Sequence, residues 1–343
     1  MKHLHILFQH GTDRLPYGCS MVRLLRPLAY PGLEHPWRIT QGTDLPEHTP
    51  GIVVIERLWQ PGTDVQKAES LMRKLRRAGS RVVYTLDDDL LGLNLPHGQA
   101  NAVRLFARQA DGIIVSTGPL AERMRRLNGR VELVPNQIDD TLFGPPREPR
   151  PARDTVTMGY MGTLTHLHDL LGILEPLRRA LRRFDGKLRL ELVGVSDNPH
   201  ILELFNGLPV TLKRADGHVA YDRFVPWMKR ELEWDFAVAP LSATSFNRCK
   251  SDLKYLDYGA LTIPAVFSDV TPYRETVRHS ETGLLAGSHA DWEAHIAALA
   301  EDSALRRQLA LTARDQVYAE RSLKTHAPDW VTAIRRLTDR PQN

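Results

Sequence analysis

Hydrophobic positions fall into short continuous runs separated by longer stretches of mixed character. In the first half the runs are His5–Phe8, Ile52–Ile55, Val82–Leu86, Ile113–Val115 and Val131–Val134. Between them, near 18–30, 64–78, 100–109 and 119–127, the pattern predicts helices. A strand covered on both faces has no polar side, so continuous apolar runs alternating with helices predict a parallel sheet between two helical layers. The pattern halts at Phe143–Ala152, where four prolines stand in ten residues. Proline removes an amide donor and fixes φ, so neither helix nor sheet continues through it. Strands are predicted again at Val156–Met161, Leu188–Val193, Phe236–Ala239 and Ala265–Ser268. Helices are predicted near 168–183, 221–231, 251–261, 290–300, 303–319 and 323–338.

The fold class predicted is α/β, with two doubly wound, Rossmann-like domains facing across a cleft. The expected division is an N-terminal domain over 1–142, a proline-rich linker over 143–152 and a second domain over 153–320, with a last helix in 321–343. A length of 343 residues agrees with two domains. Ligands of open parallel sheets bind beyond the carboxyl ends of the strands, so the site is sought in the loops there.

Composition narrows the class. Hydrophobic residues make up 42% and charged residues 25%, which excludes wholesale disorder. No apolar run approaches the roughly 18 residues that cross a bilayer, and the opening Met1–Phe8 is too short and too His-rich for a signal peptide. Cys19 and Cys249 are the two cysteines, which excludes a disulfide scaffold and a four-cysteine zinc site and points to the cytoplasm. The net charge of +4 resides in residues 1–150, which hold 20 Lys/Arg against 16 Asp/Glu. That excess suits an anionic partner or a membrane surface, and equally a solubilising surface. The basic runs Arg73-Lys74-Leu75-Arg76-Arg77 and Arg123-Met124-Arg125-Arg126 allow peripheral membrane contact or plain solvation. Aromatics do not interleave with them, so nucleic acid is not an expected partner.

Chemistry concentrates in Phe246–Asp269, a polar loop that runs into a helix and then a strand. Ser251 or Asp252 is placed to cap the helix. Free amides at a helix start, with Lys250 beside them, suit a phosphate or diphosphate. Lys250, Lys254 and Asp257 stand at i, i+4 and i+7, which puts them on one helix face. The same spacing fits a surface helix with a Lys254–Asp257 ion pair. Asp87-Asp88-Asp89 follows the strand Val82–Leu86. Three adjacent carboxylates need water, cations or a ligand; Asp87 or Asp88 could polarise an acceptor hydroxyl, or the run is a solvated loop. Its Asp-x-Asp pattern also fits a metal-diphosphate site of the GT-A type, ranked lower because a second α/β unit follows the prolines.

The segment Asp257-Tyr258-Gly259-Ala260-Leu261-Thr262-Ile263-Pro264-Ala265-Val266 resembles the donor-site motif of glycosyltransferase family 4, the retaining, glycogen-synthase-like enzymes of the GT-B fold. Asp257 matches the second acidic position of that motif, and Cys249 stands where the first glutamate is usual. Tyr160–Asp169 is similar to the family's first loop of the second domain. Val134–Asp139 resembles its Pro-Asn-Gly-Val-Asp signature, and Gly283-Leu284-Leu285 its Gly-Leu-Leu segment. The Trp330 helix resembles the one that crosses back onto the first domain, and Tyr17–Arg23 the small-residue loop near the phosphates. The resemblance implies a cytoplasmic, metal-independent enzyme that needs no cofactor and takes a nucleotide-diphosphate sugar as donor. It implies that Asp257 holds the ribose, and that Gly162, Thr163, Lys250, Ser251, Asp252 and Lys254, with Gly18 and Arg23, hold the diphosphate region. His166, Lys250, Asp87 and Asp88 are the implied catalytic candidates. The acceptor stays open among glycan, lipid-linked, protein and small-molecule hydroxyls. Two alternatives remain: an inactive sugar-nucleotide-binding protein, prompted by Cys249, and an inverting enzyme with Asp87 or Asp88 as base.

Overall fold

Burial explains which strands form the sheets. In the computed structural model, which describes residues 2–96, 98–195, 199–217 and 220–339, the runs Ile52–Glu56 and Val156–Met161 are buried at every position. Each becomes a central strand with parallel partners on both sides. The chain divides into two compact units. The first comprises residues up to Asp139, Cys249–Ser251 and the chain from Leu323 onward; the second comprises Asp140–Arg248 and Asp252–Ser322.

In the first unit the elements run β1 (Lys2–Leu7), α1 (Gly18–Ser20), α2 (Arg26–Leu28), β2 (Trp37–Gly42), β3 (Ile52–Glu56), α3 (Val65–Arg77), β4 (Arg81–Leu86), α4 (Gln99–Gln109), β5 (Gly112–Val115), α5 (Gly118–Arg125) and β6 (Val131–Leu133). A five-residue π stretch, Met21–Leu25, joins α1 to α2. The sheet order is β2-β1-β3-β4-β5-β6, parallel at every pairing. Helices α3 and α5 start where a side chain can satisfy a free amide, whereas α4 starts after Gly98 without a side-chain cap. The Asp64 side chain accepts from Lys67 N at 2.9 Å, and Thr117 from Leu120 N at 3.4 Å. Their apolar stripes (Met72, Phe106, Met124) share one core with Val53, Tyr84 and Val115 of the sheet. The opposite face, with Ile6, Val54 and Ile114, is covered by the 18–28 segment and by Trp330, Ile334 and Leu337 of the C-terminal helix Leu323–Thr338.

The second unit repeats the plan. After the short α6 (Asp140–Phe143) come β7 (Val156–Met161), α7 (Leu167–Leu171), α8 (Leu174–Arg183), β8 (Leu188–Val193), β9 (Val210–Lys213), α9 (Tyr221–Glu231), β10 (Phe236–Ala239), α10 (Leu253–Ala260), β11 (Ala265–Ser268), α11 (Thr271–Arg274), β12 (Leu284–Ala286), α12 (His289–Glu301) and α13 (Ser303–Glu320). The sheet order is β12-β11-β10-β7-β8-β9, again parallel throughout. Gly259 lets α10 approach α13: a Cβ there would stand 2.7 Å from Val317 Cγ2.

Edge position accounts for two of the three strands that the sequence did not announce. Strands β2, β9 and β12 were not predicted, and each is an edge strand. Partial cover leaves β2 and β9 mixed rather than continuously apolar: β2 exposes Arg38 and Gln41, and β9 exposes Thr211. The third, β12, is apolar but only three residues long. The single helix expected over 168–183 is two, α7 and α8, parted at Gly172-Ile173. Residues Cys249–Ser251, expected within the second domain, belong to the first unit.

Candidate functional site

Each sheet reverses its strand order once. In the first unit the chain lays β2 on one side of β1 and then crosses to β3 on the other, so the reversal lies between β1 and β3. In the second it lies between β7 and β10. Connections leave such a point in opposite directions and open a crevice at the strands' carboxyl ends. A set of polar and charged side chains gathers at each.

In the first unit the set is an ion-pair lattice. Glu56 ends β3, and Arg57 follows it in the left-handed region at φ 49°. That turn brings the Arg57 guanidinium 2.9 Å from Asp87 Oδ1 and 3.3 Å from Asp88 Oδ2. Lys250 Nζ stands 3.3 Å from the other oxygen of Asp88. Asp89 is fully buried and pairs with Arg123 at 2.7 Å. The three carboxylates thus meet three cations. Burial alone would lower the Arg57 pKa, but the surrounding charges, led by Asp87, hold it above its ordinary value. Burial pushes Asp89 up despite Arg123. Glu56 lies beneath, 1% exposed. Its Oε2 accepts from Gln9 N at 2.8 Å, and its Oε1 is buried without a hydrogen-bond partner. Burial pushes its carboxyl up to about 7, against the pull of Ser20 and Gln9. Burial, reinforced by Glu56, also pushes the Cys19 thiol well above its usual range.

Asn136 knots three segments of this unit. Its Nδ2 donates to Ser251 Oγ at 2.8 Å, and its Oδ1 accepts from Arg23 at 3.1 Å. Asp139 pairs with Arg26, and the carbonyl of Ile138 accepts from Leu323 N at 2.9 Å. Arg23 was expected as a phosphate cation. It is 2% exposed, donates to the Val134 carbonyl at 2.5 Å and lies 4.8 Å from the Trp330 ring centroid. Burial lowers its pKa to about 10. Its partners make it a strut of the first unit rather than a surface cation. Gly18 opens α1, with nothing within 4 Å of a Cβ built there.

In the second unit the set starts at the end of β7. Gly162 is required there, since a Cβ would meet the Tyr160 hydroxyl at 2.9 Å and His166 Cβ at 3.3 Å. Thr163 follows it, exposed. His166 Nδ1 lies 3.0 Å from Asp169 Oδ2, and Asp169 Oδ1 accepts from Ser242 N at 2.8 Å and Asn247 Nδ2 at 3.4 Å. Burial works against the charged form of Asp169, but these hydrogen bonds outweigh it and hold the carboxyl at about 2. Asp169 therefore fastens the β7 loop to the loop after β10; it does not cap the following helix.

Helix α10 starts at Leu253, so Lys250 lies outside it and shares no helical face with Lys254 and Asp257. The expected cap is also absent: Asp252 occupies the cap position with no side-chain cap bond. Its carboxylate is clasped by Arg321 at 2.6 and 3.0 Å and by Thr276 Oγ1 at 2.8 Å. Ser251 belongs to the first unit and accepts from Asn136. Lys254 Nζ lies over the Tyr160 ring, 5.8 Å from its centroid. Asp257 is 8% exposed, and its Oδ1 is buried with no hydrogen-bond partner. Burial pushes its carboxyl up to about 7, with Lys254 pulling the other way. It is thus not half of an exposed surface pair.

Sequence reasoning missed Glu56 and Arg57. Their signal was present, an acid and a base directly after the wholly apolar Ile52–Ile55. Cys249 is 4% exposed and packs into the apolar core of the first unit, a place that would penalise a carboxylate. Among the described residues, no group of three or more His, Cys, Asp or Glu side chains is arranged to hold a metal ion. No helix among them is long and apolar enough to cross a membrane.

No protein-family profile matches the chain, and no curated protein matches it by sequence. Solved structures do match. HepE from Anabaena, in complex with UDP and glucose, superposes with a TM-score of 0.68 at 13% identity, over 98% of this chain and 100% of its own. Sucrose-phosphate synthase from Thermosynechococcus elongatus gives 0.69 at 15%, over 98% and 99%. A TarM variant from S. aureus, in complex with fondaparinux, alpha-GlcNAc-glycerol and UDP, gives 0.62 at 13%, over 82% of this chain and 55% of TarM, so the chain spans just over half of TarM's length. These likenesses, with two six-stranded parallel sheets, make the fold GT-B, built of two Rossmann-like domains.

Proposed function

We propose that this chain is a glycosyltransferase of the retaining, family 4 kind, which moves a sugar from a nucleoside-diphosphate sugar to a hydroxyl acceptor without a metal ion. The observation that carries the reading is Asp257. A buried carboxylate oxygen without a donor, at the strand-order reversal of the second unit, suits a ligand that brings hydroxyl donors, such as a ribose. The amides and side chains around Gly162, with Thr163, His166 and Lys254, face the diphosphate end. HepE has been solved with UDP-glucose and TarM with UDP, and the proposal extends a UDP-sugar donor to this chain.

Retention is favoured over inversion because Asp87 and Asp88 are both ion-paired. Carboxylate oxygens engaged by Arg57 and Lys250 are committed to the lattice rather than to an acceptor hydroxyl. The departing phosphate then takes the acceptor proton, and the protein orients both substrates and stabilises the leaving charge. The acceptor is a hydroxyl of a glycan, a lipid-linked glycan, a protein or a small molecule. The reading places the protein in the cytoplasm, with peripheral contact at the inner face of the membrane.

The test is thermal unfolding of the purified chain with UDP, GDP, ADP, TDP or CMP, with and without EDTA. A ligand bound to the folded state alone raises the melting temperature. One nucleoside diphosphate is expected to do so, undiminished by EDTA. A shift abolished by EDTA would revive the Asp87–Asp89 run as a metal site, and no shift with any nucleotide would overturn the donor site. Lys250→Ala is expected to lower turnover by roughly a hundred-fold or more while folding stays intact, since Asp88 keeps Arg57. Near-normal turnover in that variant would remove Lys250 from the reaction.

A further inference from the structure

The positive charge of this protein is not spread evenly. Helices α3, α4 and α5 together carry nine Lys/Arg against two Glu, although the whole chain has a net charge of only +4. The rest of the molecule is therefore net acidic. The three helices enter one core on one face of the first sheet, so their outer sides form a single layer. Arg73, Lys74, Arg76 and Arg77 of α3, Arg108 of α4 and Arg125 of α5 are exposed there. None of these six forms an ion pair among the described residues. Helix α8 of the second unit makes the contrast. It is equally rich in arginine, but Arg178, Arg179 and Arg183 are matched by Glu175, Glu293 and Glu301 at 2.9–3.0 Å.

We propose that the outer side of α3, α4 and α5 docks on an anionic lipid bilayer. A broad layer in which cations outnumber acids nine to two, six of the cations being exposed and outside any ion pair among the described residues, fits a surface that is itself broad and of the opposite sign. Phe106, the one aromatic residue on the three helices, is fully buried, so the layer offers no stacking platform for nucleic-acid bases. Leu71 and Leu105 are only partly buried but pack against the core, and no large hydrophobic residue of the three helices is among the exposed ones, so contact is electrostatic rather than by insertion. Such attraction reaches about 8 Å at physiological salt. The inference stands whether or not the protein transfers sugar.

The test is co-sedimentation of the full chain with vesicles of phosphatidylcholine, alone or mixed with phosphatidylglycerol. Binding is expected to the mixed vesicles only, and to disappear at high salt. The triple variant Arg73→Ser, Lys74→Ser, Arg77→Ser is expected to lower the partition coefficient about a hundred-fold. The triple Arg179→Ser, Arg182→Ser, Arg183→Ser removes the same charge from α8 and is expected to bind like the unaltered chain. Circular dichroism checks the fold of both, and Lys74→Glu alone, with a smaller loss expected, replaces a triple that fails to fold. Equal loss in both triples would reduce the effect to net charge and overturn the proposal. So would no binding to anionic vesicles, or tighter binding to a short RNA duplex than to them.

Discussion

Each unit builds a strand-end cluster where its parallel sheet reverses strand order, and the two clusters are filled in opposite ways. In the first, Asp87, Asp88 and Asp89 are matched by Arg57, Lys250 and Arg123. In the second, Asp257 is buried with an oxygen that has no hydrogen-bond partner among the described residues. A charge compensated from within holds a loop in place; a group left uncompensated costs stability unless a ligand or a proton satisfies it. The second cluster contains such a group at Asp257. The first unit also has buried carboxylate oxygens without a hydrogen-bond partner among the described residues, on Glu56 and Asp89, but Glu56 lies beneath the lattice with its other oxygen held by Gln9, and Asp89 faces Arg123 at 2.7 Å.

The contrast breaks most visibly at Arg57. Arg57→Ala removes the cation shared by two half-buried carboxylates and is expected to lower the unfolding free energy by about 3–5 kcal/mol, read from denaturant midpoints. A loss below about 1 kcal/mol would mean the lattice is a solvated surface feature. Next comes Asp257→Ala, which is expected to weaken nucleoside-diphosphate binding about a hundred-fold by calorimetry. Unchanged affinity would move the ribose elsewhere.

Acidity sharpens the comparison further. Asp257 and Glu56 both have folded pKa values of about 7, above their unfolded values. The folded state therefore holds extra protons between the ordinary carboxylate range and pH 7. Their contribution is most favourable at the acid end and is lost as pH rises through 7, by on the order of 1.4 kcal/mol per pH unit for each group. Melting temperature is expected to fall from pH 5 to pH 8, and to fall less in Asp257→Asn. An identical slope in that variant would assign the titration to Glu56. The smallest effect belongs to Cys249→Ala, expected to cost about 1 kcal/mol and to leave nucleotide binding unchanged. Lost binding there would restore a donor contact to this position.

What the sequence revealed follows from how completely each segment is covered. Ile52–Ile55, Val82–Leu86 and Val156–Met161 are buried on both faces, so a bare apolar run announced them. Trp37–Gly42 and Val210–Lys213 lie at sheet edges, where polar residues are tolerated on the open side, and their runs read as loop. Site residues followed the same logic. Asp257 and Gly162 were singled out because a motif names them, and at Gly162 the packing also leaves no room for a Cβ. Arg23, a cation after a first strand, reads as exposed; its burial under Trp330 is a long-range fact with no local signature. The capping role given to Asp252 failed for the same reason, its partner Arg321 being far along the chain. Glu56 and Arg57 had a local signal, an acid and a base after an apolar strand, but that β3 lies beside β1 at the strand-order reversal is supplied only by topology.

The first unit also has a distinctive relation to time. Its sheet is complete by Leu133, yet one face of that sheet waits for Trp330, Ile334 and Leu337, almost two hundred residues downstream. During synthesis, Ile6, Val54 and Ile114 must remain without that cover while the whole second unit is made. The last helix is thus a closing piece delivered late, and the nascent first unit is a natural client for a chaperone until it arrives.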